Sequence, residues 1–128
     1  MTQLELLAPA KNLECGIAAI NHGADAVYIG APRFGARAAA GNSVDDIRTL
    51  CQHAHQFAAR VYVTVNTILY DDELQATQQL IQQLYDVGVD AILVQDMGIL
   101  RCRCHRLLCM LRRRLTIVLS TRFVGCTL

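Results

Sequence analysis

The side chains of this 128-residue chain best suited to chemistry are concentrated in a few places. Near the C-terminus, Cys102, Cys104, His105 and Cys109 form a C-x-C-H-x3-C cluster, a donor set suited to zinc or iron. Beyond it, Arg112, Arg113 and Arg114 make a basic run of the kind that meets nucleic acid or an acidic surface. Further upstream, Arg33 and Arg37 stand in a loop of small residues, where backbone can approach a ligand closely. Two guanidinium groups there can grip a carboxylate or a phosphate. The competing reading of the pair is ion pairing with Asp96 or its neighbours. Asn66 and Gln95 end apolar runs as neutral hydrogen-bonding groups, with Asp96 next in the chain. They either orient a substrate or satisfy loop backbone.

Other signals read as structure. Asp71, Asp72 and Glu73 open a helix, where carboxylates favour the positive end of its dipole. His53 and His55 are two apart on a helix, so they point about 200° apart and cannot chelate one metal. Cys15 and Cys51 sit alone in helix-like segments and read as buried structural thiols. There is no G-x-S-x-G elbow, P-loop, G-x-G-x-x-G or H-E-x-x-H.

The elements that must position these groups alternate between two periods. Leu4 to Ala8 is a short strand stopped by Pro9, and Asn12 caps a helix with Leu13, Ile17 and Ile20 on one face, ended by Gly23. Asp25 to Gly30 is an apolar strand of the doubly covered kind. Ser43 and Asp46 form a variant capping box ahead of a stripe of Val44, Ile47, Leu50, Ala54 and Phe57. Arg60 to Asn66 is β-branched and aromatic, hence a strand. Leu74, Ile81 and Leu84 line a third helix, ended by Gly88, and Asp90 to Asp96 is a fourth strand. This β-α order implies an α/β fold with parallel strands and crossover helices.

An internal echo sharpens the architecture. Gly23 to Ile29 and Gly88 to Val94 match in kind, 65 positions apart, which holds two βα units. Eight such units make a (β/α)8 barrel, so residues 1–100 read as the first four units of a TIM-like barrel. A doubly wound sheet would usually show a glycine-rich turn after its first strand, and Ala8 to Asn12 has none. In a barrel, function collects at the C-terminal ends of the strands. That rim supplies Pro9, Lys11, Tyr28, Gly30, Arg33, Arg37, Asn66, Thr67, Gln95 and Asp96.

Composition breaks after Leu100. Residues 1–100 hold all 11 acids and five of the 12 Lys+Arg, a balance of −6. Residues 101–128 hold the other seven, all Arg, with no acid, and four of the six Cys. No apolar run approaches the roughly 20 residues that span a bilayer, and the start lacks a secretory signal. The expected compartment is the cytoplasm, with no membrane partner.

The segments LELLAPAKN, HGADAVYIGAPRFGARAAAGN, RVYVTVNTILYDDEL and GVDAILVQDMGIL together resemble the collagenase-like peptidase family, U32. The resemblance runs from about Leu4 to Leu100 and implies an N-terminal βα barrel in a protein of several hundred residues. It implies peptide hydrolysis as the parent activity, with a peptide substrate. The alternative it offers is oxygen-independent hydroxylation of a transfer-RNA or ribosomal-RNA base, or of the ubiquinone ring. Hydroxylating members hold an iron–sulfur cluster on cysteines well beyond this chain. No Cys before Leu100 matches that set, so neither cofactor nor metal ligand is expected in this segment.

The resemblance also tests the break. After GIL, relatives continue with an acidic residue, prolines and a strand reading LHASTQ. Reading the codons of Arg101 to Leu119 one base earlier permits EMPLPPIALHASTQTDNRT. We therefore expect a single lost base just after the Leu100 codon, which makes 101–128 an out-of-frame tail without native fold. The Cys/His cluster and arginine run then carry no chemistry, and the chain on its own is an inactive remnant. Four units would leave strand edges bare, so self-association through those edges is expected.

Overall fold

Strand and helix alternate from Leu7 to Val94 in the computed structural model, which describes residues 4–32, 42–65, 68–94 and 99 and the backbone of 116–119. The order is β1 (Leu7–Ala10), α1 (Leu13–Asn21), β2 (Ala26–Gly30), α2 (Val44–Gln56) and β3 (Arg60–Val65). A 3-10 turn (Asp71–Glu73), α3 (Leu74–Asp86), β4 (Ala91–Val94) and β5 (Thr116–Leu119) follow.

The helix starts obey the sequence. The Asn12 side chain accepts the Cys15 amide at 2.9 Å, standing in for a missing helical acceptor. Ser43 and Asp46 form the reciprocal box, with bonds of 3.1 and 3.0 Å. The acidic trio opens the third helix as expected: Asp71–Glu73 is a 3-10 turn that runs directly into α3, and its Glu73 carboxylate accepts the Tyr70 amide at 3.0 Å.

All adjacent strands are parallel, in the order β1-β2-β3-β4-β5. α1 packs on α2 and α2 on α3, so the helices line one side of the sheet. A doubly wound sheet reverses strand order at its switch point. Unbroken chain order with one helical layer is consistent with the start of a βα barrel.

The two faces differ. Toward the helices point the paired rows Val27–Val61, Ala10–Ile29–Val63–Ile92 and Val65–Val94, all buried. Ile47, Leu50, Cys51 and Ala54 of α2 and Leu80, Ile81 and Leu84 of α3 close over them. On the opposite rows Leu7, Pro9 and Tyr28 are exposed and Tyr62, Thr64 and Leu93 half-buried.

Three expectations need correcting. β1 begins at Leu7 and runs through Pro9 to Ala10. It is the outermost strand of the sheet, where a residue without an amide donor is tolerated. Phe57 is the C-cap of α2 and 59% exposed, because the helix stops before the stripe returns to the core. Cys15 is exposed, whereas Cys51 is buried as expected. In the Arg/Cys-rich segment, Thr116–Leu119 pairs with β4 from Ala91 to Val94. Thr-Ile-Val-Leu has strong strand propensity in its own right, and the pairing needs only backbone. The rest of 101–128, with the Cys/His cluster, lies outside the described residues.

Candidate functional site

The N-terminal ends of the strands form a stitched floor. Asp25 accepts the Leu6 amide at 2.8 Å, and Asp90 accepts the Val61 amide at 2.9 Å. Each carboxylate thereby fastens the strand before its own. Asp90 also holds His55 Nε2 at 2.9 Å, and His53 Nε2 lies 2.9 Å from Asn21. The histidines singled out in the sequence are thus tied at the end where barrels keep stability rather than catalysis. Glu5 accepts from the Tyr62 hydroxyl at 2.5 Å, joining the segment before β1 to β3. Burial, then the Glu5 contact, raises the Tyr62 hydroxyl above its ordinary pKa.

The C-terminal ends form a rim. Asn42 is buried and its side-chain amide donates to the Lys11 carbonyl at 3.1 Å, fixing the β1–α1 turn to the residue before the α2 cap. The Ala31 amide donates to the Thr64 carbonyl at 3.0 Å, extending the β2–β3 pairing past Gly30. After β3, Ile68 and Tyr70 are 72% and 74% exposed. Their loop is held by the Tyr70–Glu73 contacts: amide to carboxylate at 3.0 Å, and Glu73 amide to Tyr70 carbonyl at 2.9 Å.

The expected site residues Arg33, Arg37, Asn66, Gln95 and Asp96 lie outside the described residues. Val65 and Val94, the residues that precede Asn66 and Gln95 in the chain, are register partners in β3 and β4. Sequence reasoning passed over Asn42, Ile68 and Tyr70. An isoleucine and a tyrosine in a strand-to-helix connection were the available signal, because such connections are usually polar.

The described residues do not fit an iron–sulfur cluster. Cluster ligands are thiolates, and burial followed by the Asp90 charge pushes the Cys51 thiol up to about 12. Among the described residues no three His, Cys, Asp or Glu side chains are grouped to hold a metal. Nor is any described helix long and apolar enough to cross a membrane.

Parallel strands in chain order, one helical layer, a stitched floor and a rim of strand-end loops define an α/β protein, consistent with the start of a βα barrel. The pattern of peptidase family U32 matches residues 11–114, and the chain belongs to that family. It is 58% identical over 98 residues to the 23S rRNA 5-hydroxycytidine synthase of Escherichia coli, covering 77% of this chain and 15% of that protein. It is 37% identical over 93 residues to tRNA hydroxylation protein P1 of Bacillus subtilis, covering 72% of this chain and 22% of that protein. An uncharacterized protease of Methanocaldococcus jannaschii is 35% identical over 99 residues, covering 77% of this chain and 24% of that protein. The chain thus spans no more than a quarter of the length of these relatives.

Proposed function

We propose that residues 1–100 supply the first four units of a (β/α)8 barrel in an RNA-hydroxylating enzyme whose substrate is a ribosomal-RNA cytidine. The carrying observation is the 58% identity over 98 residues to a 23S rRNA 5-hydroxycytidine synthase. Peptide hydrolysis, expected first from the family label, gives way to this reading: the protease relative stands at 35%. In this assignment Arg33 and Arg37 hold RNA phosphate, while Asn66, Gln95 and Asp96 orient the base from the ends of β3 and β4. An iron–sulfur cluster, if the whole enzyme carries one, is held by residues other than the described ones.

We propose further that residues 101–128 are read out of frame. Composition and codon reading support the boundary at Leu100, and resequencing across that codon tests it. The open sheet face and the outer edge of β1 support self-association by the chain alone. For function, the gene and its downstream DNA, with one base inserted after the Leu100 codon, would be placed in a strain lacking the 23S rRNA synthase. Hydroxycytidine should return in rRNA digests analysed by mass spectrometry, and the unrepaired gene should restore none. Gelatin cleavage without hydroxycytidine would reinstate the peptidase reading.

A further inference from the structure

We propose that Tyr70, with Ile68 beside it, is a stacking platform for an unpaired RNA base, and that Lys11 holds the phosphate chain leading to it. The inference rests on the RNA reading above and names the residues by which the rim would hold its substrate.

Tyr70 is 74% exposed and Ile68 72% exposed, so two large apolar side chains of one short loop face water. The backbone under Tyr70 is fixed, because its amide and carbonyl both bond to Glu73. A ring displayed on a held backbone loses little conformational freedom when a base stacks on it. Its place is the C-terminal end of β3, the side of a barrel where substrates bind. Lys11 repeats the design at the end of β1: the side chain is exposed, and the buried Asn42 amide holds its carbonyl at 3.1 Å.

β1 and β3 are separated by β2, two strand spacings, or roughly 10 Å. A short stretch of single strand covers that distance. Charge decides which loop takes which part of the RNA. Asp71 and Asp72 follow Tyr70 and are exposed, which suits the start of α3 and repels phosphate. The phosphates therefore belong at Lys11 and the uncharged base face at Tyr70. Single-stranded RNA is held in this way, by stacking on aromatic rings and by cations along the backbone.

The test is fluorescence anisotropy of the full 128-residue chain with two probes: a labelled single-stranded oligocytidylate and an abasic ribose-phosphate oligomer of equal length. Tyr70→Ala should weaken oligocytidylate binding about tenfold and leave abasic binding unchanged, with Tyr70→Phe close to the parent. Lys11→Ala should weaken both probes alike and flatten the salt dependence. Circular dichroism of each variant reports folding, and the Tyr70→Phe result keeps the test decisive if Tyr70→Ala unfolds. Equal oligocytidylate binding by the parent and Tyr70→Ala would overturn the platform and leave the RNA reading standing. A parent chain that binds neither probe would overturn the platform and the Lys11 contact, whereas the RNA reading stands or falls on the repaired gene restoring hydroxycytidine. If light scattering shows Tyr70→Ala turning an oligomer into a monomer, a second copy covers the ring and the platform is overturned.

Discussion

The two faces of the sheet were built to different standards. Toward the helices, the paired valine and isoleucine rows are almost wholly shut from water. On the other face Tyr28 is 37% exposed, and among the described residues only the small Ala26 and Ala91 are fully covered. A barrel wall has this asymmetry, because its inner layer is completed by strands on the far side of the barrel. The covered face therefore carries the stability of this segment, and the open face carries its dependence on what lies opposite.

The sharpest way to probe the covered side is chemical. Cys51 packs there with its thiol pushed up to about 12, whereas Cys15 is exposed on α1. At pH 8 Cys51 is thiolate in only about one part in ten thousand. Iodoacetamide labelling followed by peptide mapping should modify Cys15 at least a hundredfold faster, with Cys51 reacting only after denaturation. The same shift fixes a pH dependence. A thiol whose folded pKa is raised above its unfolded value near 9.0 contributes stability that is fully present below pH 9. That contribution is lost as pH rises from 9 toward 12, so urea midpoints should fall across that window. Fast labelling of Cys51 in the folded chain would show that α2 does not close over the sheet.

The faces can next be compared on adjacent residues of one strand. Ile29→Ala removes a fully buried side chain between its register partners Ala10 and Val63 and should cost about 3 kcal/mol in urea unfolding. Tyr28→Ser, one residue earlier and on the other face, should cost about 1 kcal/mol or less. It should also raise solubility by removing an exposed ring. Comparable costs at the two positions would mean that something already covers the open face, a second copy of the chain being the first candidate.

Much of this contrast could be read from the sequence. Asn12, Ser43 and Asp46 announce two helix starts by local hydrogen bonding alone, and the β-branched run before Asn66 announces β3. What escaped depends on neighbours distant in the chain. Pro9 reads as a strand breaker until β1 proves to be an edge. Asp25 and Asp90 read only as the start of an echo, because their partners, the Leu6 and Val61 amides, are set by strand pairing. Tyr70 offered only its type in a loop, since whether a loop tyrosine is covered is decided by tertiary structure. The rim residues chosen from the sequence follow from the barrel rule, so their choice is as good as the architecture.

The floor adds a second contrast. Asp90→Ala leaves the Val61 amide without its side-chain acceptor and releases His55, and should cost about 2 kcal/mol. Asp25→Ala should cost less, about 1 kcal/mol, because the Leu6 amide it serves can turn to water. Equal losses would place the two carboxylates in equivalent surroundings and weaken the distinction between the outer strand and the inner ones.

The smallest effect runs the other way and concerns a repeat that the sequence conceals. Gly23 and Gly88 end α1 and α3 with φ of +100° and +92°, and Ala58 occupies the same place after α2 at +55°. In all three turns the next amide reaches back five residues: Ala24 to Ala19, Ala59 to Ala54, Val89 to Leu84. The echo is therefore three-fold, with its middle copy hidden because alanine gives no hint of a left-handed turn. An alanine there sets its β-carbon against the backbone at a cost of about 1 kcal/mol, which glycine does not incur. Ala58→Gly should accordingly stabilise the fold by up to about 1 kcal/mol, against the usual trend for glycine. A loss of stability on that substitution would mean that the methyl group of Ala58 contributes more through packing than its backbone conformation costs.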